Sequence, residues 1–360
     1  MTGSRADGHS PLPAPSGVTR LDPSPATPAL LHALQTGAVL ARADVGVLEL
    51  AGPGAIACFQ GLLTNDIEKP GDGAFVYGAL LTPKGMIVVD GWAARLGATV
   101  RYTVPAEAGG REHALAIFLH SVPPRLARTS DRTGESAVFR LAGARALAIA
   151  EAAAIPFPTS PGRAAQAVIR DAACEVARGT DQAPFTLQFT VQPAHAAMLT
   201  DRLVSAGALR AEPVALEYAR ILAGWPRLGA EVDDKTIPQE VRFDEVGGVS
   251  YTKGCYTGQE TVSRVHFRGH PNRYLRGLLF DAEPPASPAE GWSGVTHLDR
   301  EVGRVTSLAW LPGSGIAGGG RWVGLAVIRR EVGPGAMVRA AGRDARVVDL
   351  PFSIPHPEPA

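Results

Sequence analysis

The stretch Lys253-Gly254-Cys255-Tyr256-Thr257-Gly258-Gln259-Glu260, continued by Thr261-Val262-Ser263-Arg264-Val265-His266-Phe267-Arg268-Gly269-His270, concentrates the reactive side chains of this chain. Thr257 and Glu260 stand three apart ahead of Val262 and Val265, the spacing of a capping box in which Thr257 caps a helix that begins at Gly258 and Glu260 reaches back to it. Gly254 and Gly258 let the backbone approach that helix start closely. Cys255 falls just outside it, near amide groups that favour negative charge, and two residues from Lys253; both neighbours favour thiolate over thiol. The competing reading is a small core side chain, since free cysteine is among the most buried residue types.

Outward from the motif, the chain divides by pattern. After Tyr274 it runs in short strands separated by Gly and Pro, at 274–280, 301–310, 322–329, 337–341 and 345–350, which is the profile of a small β-barrel over 270–353. Before the motif, strands alternate with helices. Helical spacing covers 29–42, weakened by Gly37, and Gly52-Pro53-Gly54 opens a second helix with Ile56, Phe59 and Leu63 on its apolar face. Two apolar runs, 74–81 and 86–94, are separated by Thr82-Pro83-Lys84-Gly85, strong punctuation for a hairpin, and a strand at 99–104 precedes a helix at 111–120. The rhythm repeats with a strand at 137–141, a helix at 144–153, strands at 167–170 and 185–191 and a helix at 193–205. The mixture favours α+β layers over a parallel doubly wound sheet. A first section is expected over 29–135 and 214–269, a second over 136–213, and tails at 1–28 (rich in Pro, Ser, Gly and Ala) and 354–360.

Composition limits the function. At 360 residues the chain can bury a sizeable core. Lys plus Arg equals Asp plus Glu at 35 each, so no overall field draws in nucleic acid or an anionic membrane, and neither partner is expected. Cys58, Cys174 and Cys255 are widely spaced, without a CxxC pair, which writes neither a disulfide framework nor a cluster site. Cys58 and Cys174 read as structural. His266 and His270 are four apart, but Gly269 interrupts the helix between them and no carboxylate or Cys completes a metal set. No signal-peptide core and no bilayer-length apolar run are present, so a cytoplasmic monomer is expected.

The octapeptide resembles the Lys-Gly-Cys-[Tyr/Phe]-x-Gly-Gln-Glu motif of the YgfZ family, folate-binding proteins that support iron–sulfur enzymes and are related to the aminomethyltransferase (T-protein) of glycine cleavage. Gln60-Gly61-Leu62-Leu63-Thr64-Asn65-Asp66-Ile67 is similar to a Leu-Thr-Asn-Asp segment of that superfamily, and Tyr77 through Asp90 to the hairpin that follows it. The stretch 216–229, with its Trp-Pro turn, and Ile237-Pro238-Gln239-Glu240 look like the approach to the Cys motif. Gly303-Arg304-Val305-Thr306-Ser307 and Val323-Gly324-Leu325-Ala326 look like its C-terminal blocks.

The resemblance implies a three-part cloverleaf, two α+β (ferredoxin-like) sections and a barrel, around an opening that holds tetrahydrofolate or a one-carbon derivative. It implies folate contacts from Tyr77, Asp90, Asn65, Asp66, Arg220, Trp225, Tyr256, Gly258, Gln259 and Glu260, and chemistry from Cys255 and Lys253, with Asp90 at the place of the transferase's catalytic acid/base. It also implies transient iron–sulfur client enzymes or assembly proteins as partners. One departure stands out: the transferase's Arg-x-Glu-Ala-Gly is Arg220-Ile221-Leu222-Ala223-Gly224 here, and an alkyl group cannot accept hydrogen bonds from a pterin edge.

Without the resemblance each residue has a plainer role. Asp90 would begin a loop, Asn65-Asp66 would cap a helix end, and Tyr77 and Trp225 would pack as half-buried aromatics. Three functions therefore stand as expectations: a folate-binding accessory protein of iron–sulfur enzymes, a folate-dependent aminomethyltransferase using Asp90, and a scaffold with a vestigial pocket. A lone thiolate cannot secure a cluster, so no permanently bound cluster is expected. Cys255 is instead assigned a transient mixed disulfide, a one-ligand contact or capture of a folate-borne carbon.

Overall fold

The computed structural model describes residues 17–286, 292–313 and 320–352, and the expected tail at 354–360 and most of that at 1–28 lie outside them. Three sheets organise the chain. The first is antiparallel, in the order Phe75–Leu81, Ile87–Leu96, Thr99–Pro105, Val45–Ala51 and Arg128–Asp131. Its central hairpin forms where the sequence places it. Thr82 N–H donates to the Met86 carbonyl (2.8 Å) and Gly85 N–H to that of Thr82 (2.9 Å), with Gly85 at φ +88°, a conformation that favours glycine. Apart from Asp90 and Arg95, apolar residues and glycine run through both strands because both faces are covered. One side meets the helices Ala55–Gln60 and Gly110–Ser121, and the other meets the return of the chain, which brings Trp225, Val241, Phe243, Tyr256 and Val262 into the same core.

The second sheet runs Leu209–Arg210, Val39–Arg42, Ala137–Ala142, Leu187–Val191, Ala172–Arg178 and Arg163–Ile169, and carries the helices Ala146–Ala152 and Ala196–Ser205 on its core. It corrects the expectation at 29–42. The helix covers Thr27–Thr36, Gly37 ends it, and Val39–Arg42 leaves the first section to become a strand of the second sheet. Gly37 is the break that the helical spacing underweighted.

The third sheet is the barrel. Arg273–Phe280, Arg321–Arg329, Arg300–Leu311, Gly294–His297, Met337–Ala340 and Arg343–Val348 pair antiparallel and close on themselves. Thr19–Leu21 adds a parallel strand beside Ser307–Ala309, correcting the reading of that stretch as tail. Composition there hid a local anchor: Leu21 enters the apolar cluster between barrel and helices, and the Arg20 guanidinium lies 4.1 Å over the Trp322 ring. Tyr218, Ile221 and Leu222 of the helix Val214–Ala223 pack into that cluster too, so this helix is wedged between the barrel and both α+β sections.

Candidate functional site

Between the two α+β sections and the wedged helix, a cavity of about 340 Å³ is lined by Tyr77, Asp90 and Trp92 of the hairpin, Arg140 and Phe185 of the second section, and Glu217, Arg220 and Trp225 of the wedged helix and its following turn. Asp90 is the odd residue of its strand: a carboxyl, 4% exposed, in a run that is otherwise apolar. The Tyr77 hydroxyl, two strand positions from the partner of Asp90, donates to Asp90 Oδ2 at 2.8 Å, while Oδ1 is buried without a partner. Burial lifts the Asp90 pKa to about 6, against the lowering effect of the Tyr77 hydrogen bond; Glu231 adds to the rise and Arg140 opposes it. The group therefore exchanges its proton near neutrality. Trp225 closes the aromatic wall, 4.7 Å from Tyr77 and stacked 5.6 Å from Trp92 between ring centroids.

Arg220 reaches this place but is fully engaged by protein. It donates to Glu217 (3.0 Å), the Trp225 carbonyl (2.8 Å), Glu231 (2.9 Å) and the Ser307 hydroxyl (2.8 Å). Glu231, fully buried, also accepts from Thr306 (2.6 Å), Ser307 (2.8 Å) and the Arg227 amide (3.1 Å). Arg220 is thus a frame for the cavity wall. Leu222, where the transferase pattern has Glu, faces the barrel-side cluster and does not line the cavity. Sequence reading missed Arg140 and Glu231. Arg140 stands in a strand where its neighbours are apolar, and that contrast was the available signal.

The Cys motif lies at the other end of the same hairpin. None of Lys253, Cys255, Tyr256, Gly258, Gln259 and Glu260 lines the cavity. The expected capping box is absent: the helix is Gln259–Arg268, Gly258 precedes it at φ +81°, and Thr257 makes no side-chain cap. The Gln259 carboxamide instead accepts from the Tyr256 amide at 3.0 Å. Gly258 is required because a Cβ there would stand 2.5 Å from the Thr82 carbonyl oxygen, so the motif sits directly on the hairpin turn. Lys253 points away from solvent, donating to the carbonyls of Gln60 (2.6 Å), Leu63 (2.6 Å) and Asn65 (2.8 Å), with burial pushing its pKa down to about 8. Its ammonium is committed to those oxygens, which corrects the picture of a cation stabilising the Cys255 thiolate.

Cys255 itself is exposed, so it is not a core side chain. Asn65 bridges the Tyr77 carbonyl (2.8 Å) and the Gly247 carbonyl (2.7 Å), and Asp66 caps the amides of Glu68 and Lys69. Asn65 therefore ties the loop at Gly247, ahead of the motif, to the hairpin, while Asp66 holds its own turn. His266 stacks on Tyr251 at 3.6 Å, and no group of three or more metal-ligating side chains occurs among the described residues. Cys174 is buried and Cys58 partly buried. No helix among the described residues is long and apolar enough to cross a membrane.

The model of the GCVT N-terminal domain matches residues 32–246. An aminomethyltransferase of Rubrobacter xylanophilus is 29% identical over 314 residues, covering 86% of this chain and 81% of that one. The tRNA-modifying protein YgfZ of Vibrio vulnificus is 35% identical over 141 residues, 37% of this chain and 41% of the relative, and that of Vibrio atlanticus 41% over 110 residues, 28% and 34%. The YgfZ matches thus span less than half of those relatives. Among solved structures, the glycine cleavage system aminomethyltransferase T from Bartonella henselae shares the fold, with a TM-score of 0.74 at 18% identity over 93% of this chain and 91% of that one.

Proposed function

The chain belongs to the family of the GCVT N-terminal domain, as a YgfZ-like member of its superfamily, and from that premise we propose a tetrahydrofolate-binding accessory protein for the synthesis or repair of iron–sulfur clusters in client enzymes. The observation that carries the reading is the cavity at Tyr77, Asp90 and Trp225. Aromatic rings gathered around a buried carboxyl with one unpartnered oxygen suit a planar ring with polar edges, which is the character of a pterin. Tyr77 fixes the plane of the Asp90 carboxyl through Oδ2 and leaves Oδ1 for the ligand, and a proton held there near neutral pH can be exchanged with a ring nitrogen. Bound tetrahydrofolate would supply the nitrogen atoms that carry a one-carbon unit.

In this reading Cys255 acts outside the cavity, in the cytoplasm, as an exposed thiol making a transient one-ligand contact with a client or assembly protein. The hairpin links the two places, since its strands carry Tyr77 and Asp90 while its turn seats the motif. The tRNA modification in the names of the Vibrio relatives is taken as the work of a client enzyme, in keeping with the balanced charge of this chain. Calorimetric titration of tetrahydrofolate under reducing, anaerobic conditions tests the binding half. Saturable binding is expected, and a clean absence overturns it. The second half is read in a strain lacking the gene: wild type restores iron–sulfur enzyme activities and Cys255→Ala, at matched protein levels, does not.

A second reading, a folate-dependent aminomethyltransferase, is favoured by the alignment with the Rubrobacter enzyme over most of both chains and by Asp90 in the cavity. It predicts release of ammonia and methylenetetrahydrofolate from an aminomethyl-lipoyl carrier, abolished in Asp90→Asn. Robust turnover of that kind would replace the first reading.

A further inference from the structure

The cavity contains a cation that the protein does not neutralise. Arg220 and Arg227, which line the same cavity, each hold a carboxylate: Arg220 pairs with Glu231 at 2.9 Å and Arg227 with Glu107 at 2.5 Å. Arg140 has none at ion-pair distance among the described residues. Among the described residues its side-chain partner is the Gln188 carboxamide, a neutral acceptor 3.1 Å from Nε. Asp90 feels its field but does not touch it. Arg140 is partly buried and lines the cavity. Burial pushes its pKa down to about 10, which leaves it charged at neutral pH.

A charge partly withdrawn from water and left unpaired is costly and is retained where something else supplies the counter-charge. We propose that Arg140 is the anion anchor of this cavity, donating from its two terminal nitrogens to a carboxylate of the bound ligand. Resting on the folate reading above, that carboxylate is one of the glutamyl end of the ligand, while Asp90 and the Trp225 wall receive the ring. The fork is already built. Phe185 lies 4.5 Å beneath the guanidinium and sets its plane. Gln188 fixes its rotation and is itself held by Thr103 (3.4 Å), whose hydroxyl donates to the Trp92 carbonyl (3.0 Å). With Nε engaged, the outward edge presents parallel N–H groups that match a carboxylate in bidentate fashion, which a lysine ammonium does not reproduce.

The test compares wild type, Arg140→Gln and Arg140→Lys by calorimetry under reducing, anaerobic conditions with three ligands: tetrahydrofolate, a tetrahydropterin lacking the benzoylglutamate, and p-aminobenzoylglutamate. Thermal melts of the free proteins check that both variants fold. The anchor predicts that both substitutions weaken tetrahydrofolate by roughly tenfold to a hundredfold and abolish binding of the fragment, with the tetrahydropterin unaffected. Equal weakening of tetrahydrofolate and tetrahydropterin, or no change in any ligand, overturns it. Wild-type protein that takes the fragment in an Arg140-dependent way but refuses tetrahydrofolate sinks the folate reading and leaves the anchor standing.

Discussion

The Tyr77 hydroxyl donates to one oxygen of the Asp90 carboxyl at 2.8 Å while the other oxygen, equally buried, has no partner. A folded protein holds such a group at a cost when it is ionised, and the cost has a definite pH signature. The unfolded chain releases this proton in the ordinary aspartate range; the folded chain holds it to about pH 6. Between the two values the folded state binds more protons, so stability falls as pH rises through that window and levels off above it. Asp90→Asn removes the effect. The variant is expected to be more stable than wild type at pH 7.5, by up to roughly 3 kcal/mol, with the gain vanishing near pH 4. Urea unfolding at the two pH values decides it, and an equal difference at both would refute the assignment.

Lys253 supports a different prediction from the one its neighbourhood in sequence invites. Its three carbonyl partners gather the end of the Ala55–Gln60 helix and the loop after it. Lys253→Met leaves those oxygens unpaired and is expected to cost roughly 2–4 kcal/mol of stability. The rate at which Cys255 is alkylated should change little, because the ammonium is turned toward the carbonyls. A stable variant with a sharply slower thiol would restore the role of thiolate activator.

What was legible in the sequence follows from how local each signal is. The hairpin was readable because Thr82-Pro83-Lys84-Gly85 encodes its own turn, and the barrel because Gly and Pro separate its strands. The strand Val39–Arg42 was not, since its place is set by pairing with Ala137–Ala142, nearly a hundred residues away, and helical spacing upstream of Gly37 ran into it. At the site, Tyr77, Asp90 and Trp225 were found through resemblance, because a buried carboxyl in a strand looks locally like a turn residue. Arg140 and Glu231 escaped because their roles depend on what lies across the cavity or in the barrel: Glu231 meets Thr306 and Ser307 only in three dimensions. The separation of Cys255 from the cavity was equally invisible, since a contiguous motif carries no sign of which end of a hairpin it will rest upon.

Glu231 yields a third prediction. Burial alone would raise its pKa, but Arg220 and the Thr306 and Ser307 hydroxyls outweigh burial and hold it below the usual carboxylate range. A depressed pKa contributes stability that is present above the unfolded value and is lost as pH falls through the folded one. Glu231→Ala removes the fully buried partner of Arg220, leaving it Glu217 alone, and empties the acceptor of Thr306 and Ser307; it is expected to destabilise by roughly 2–4 kcal/mol. Glu231→Gln, which keeps the hydrogen-bond acceptor, should cost less. Thermal melts of the two variants beside wild type at neutral pH give the order; equal melting temperatures for all three would show that the network contributes nothing.

The three thiols separate by burial, and that makes Cys255 testable without knowing its partner. Cys174 is packed in the second sheet, where burial pushes its pKa up to about 12; Cys58 is partly buried, and Cys255 is exposed beyond the hairpin turn. Thiolate is the form that reacts with a maleimide or iodoacetamide, and the reagent must also reach it. The native protein is therefore expected to show a fast thiol that disappears in Cys255→Ala, while Cys174 reacts only after unfolding in guanidinium. Mass spectrometry of the labelled peptides identifies each site. Because the side chain fills no core space, Cys255→Ala should melt within about 0.5 kcal/mol of wild type, the usual range for a surface substitution. Loss of iron–sulfur enzyme activity in the complemented strain would then be a loss of contact chemistry, separable from folding. Rapid labelling at Cys174 in the native protein would show that the second sheet leaves it reachable, and a large loss of stability in Cys255→Ala that its side chain fills core space.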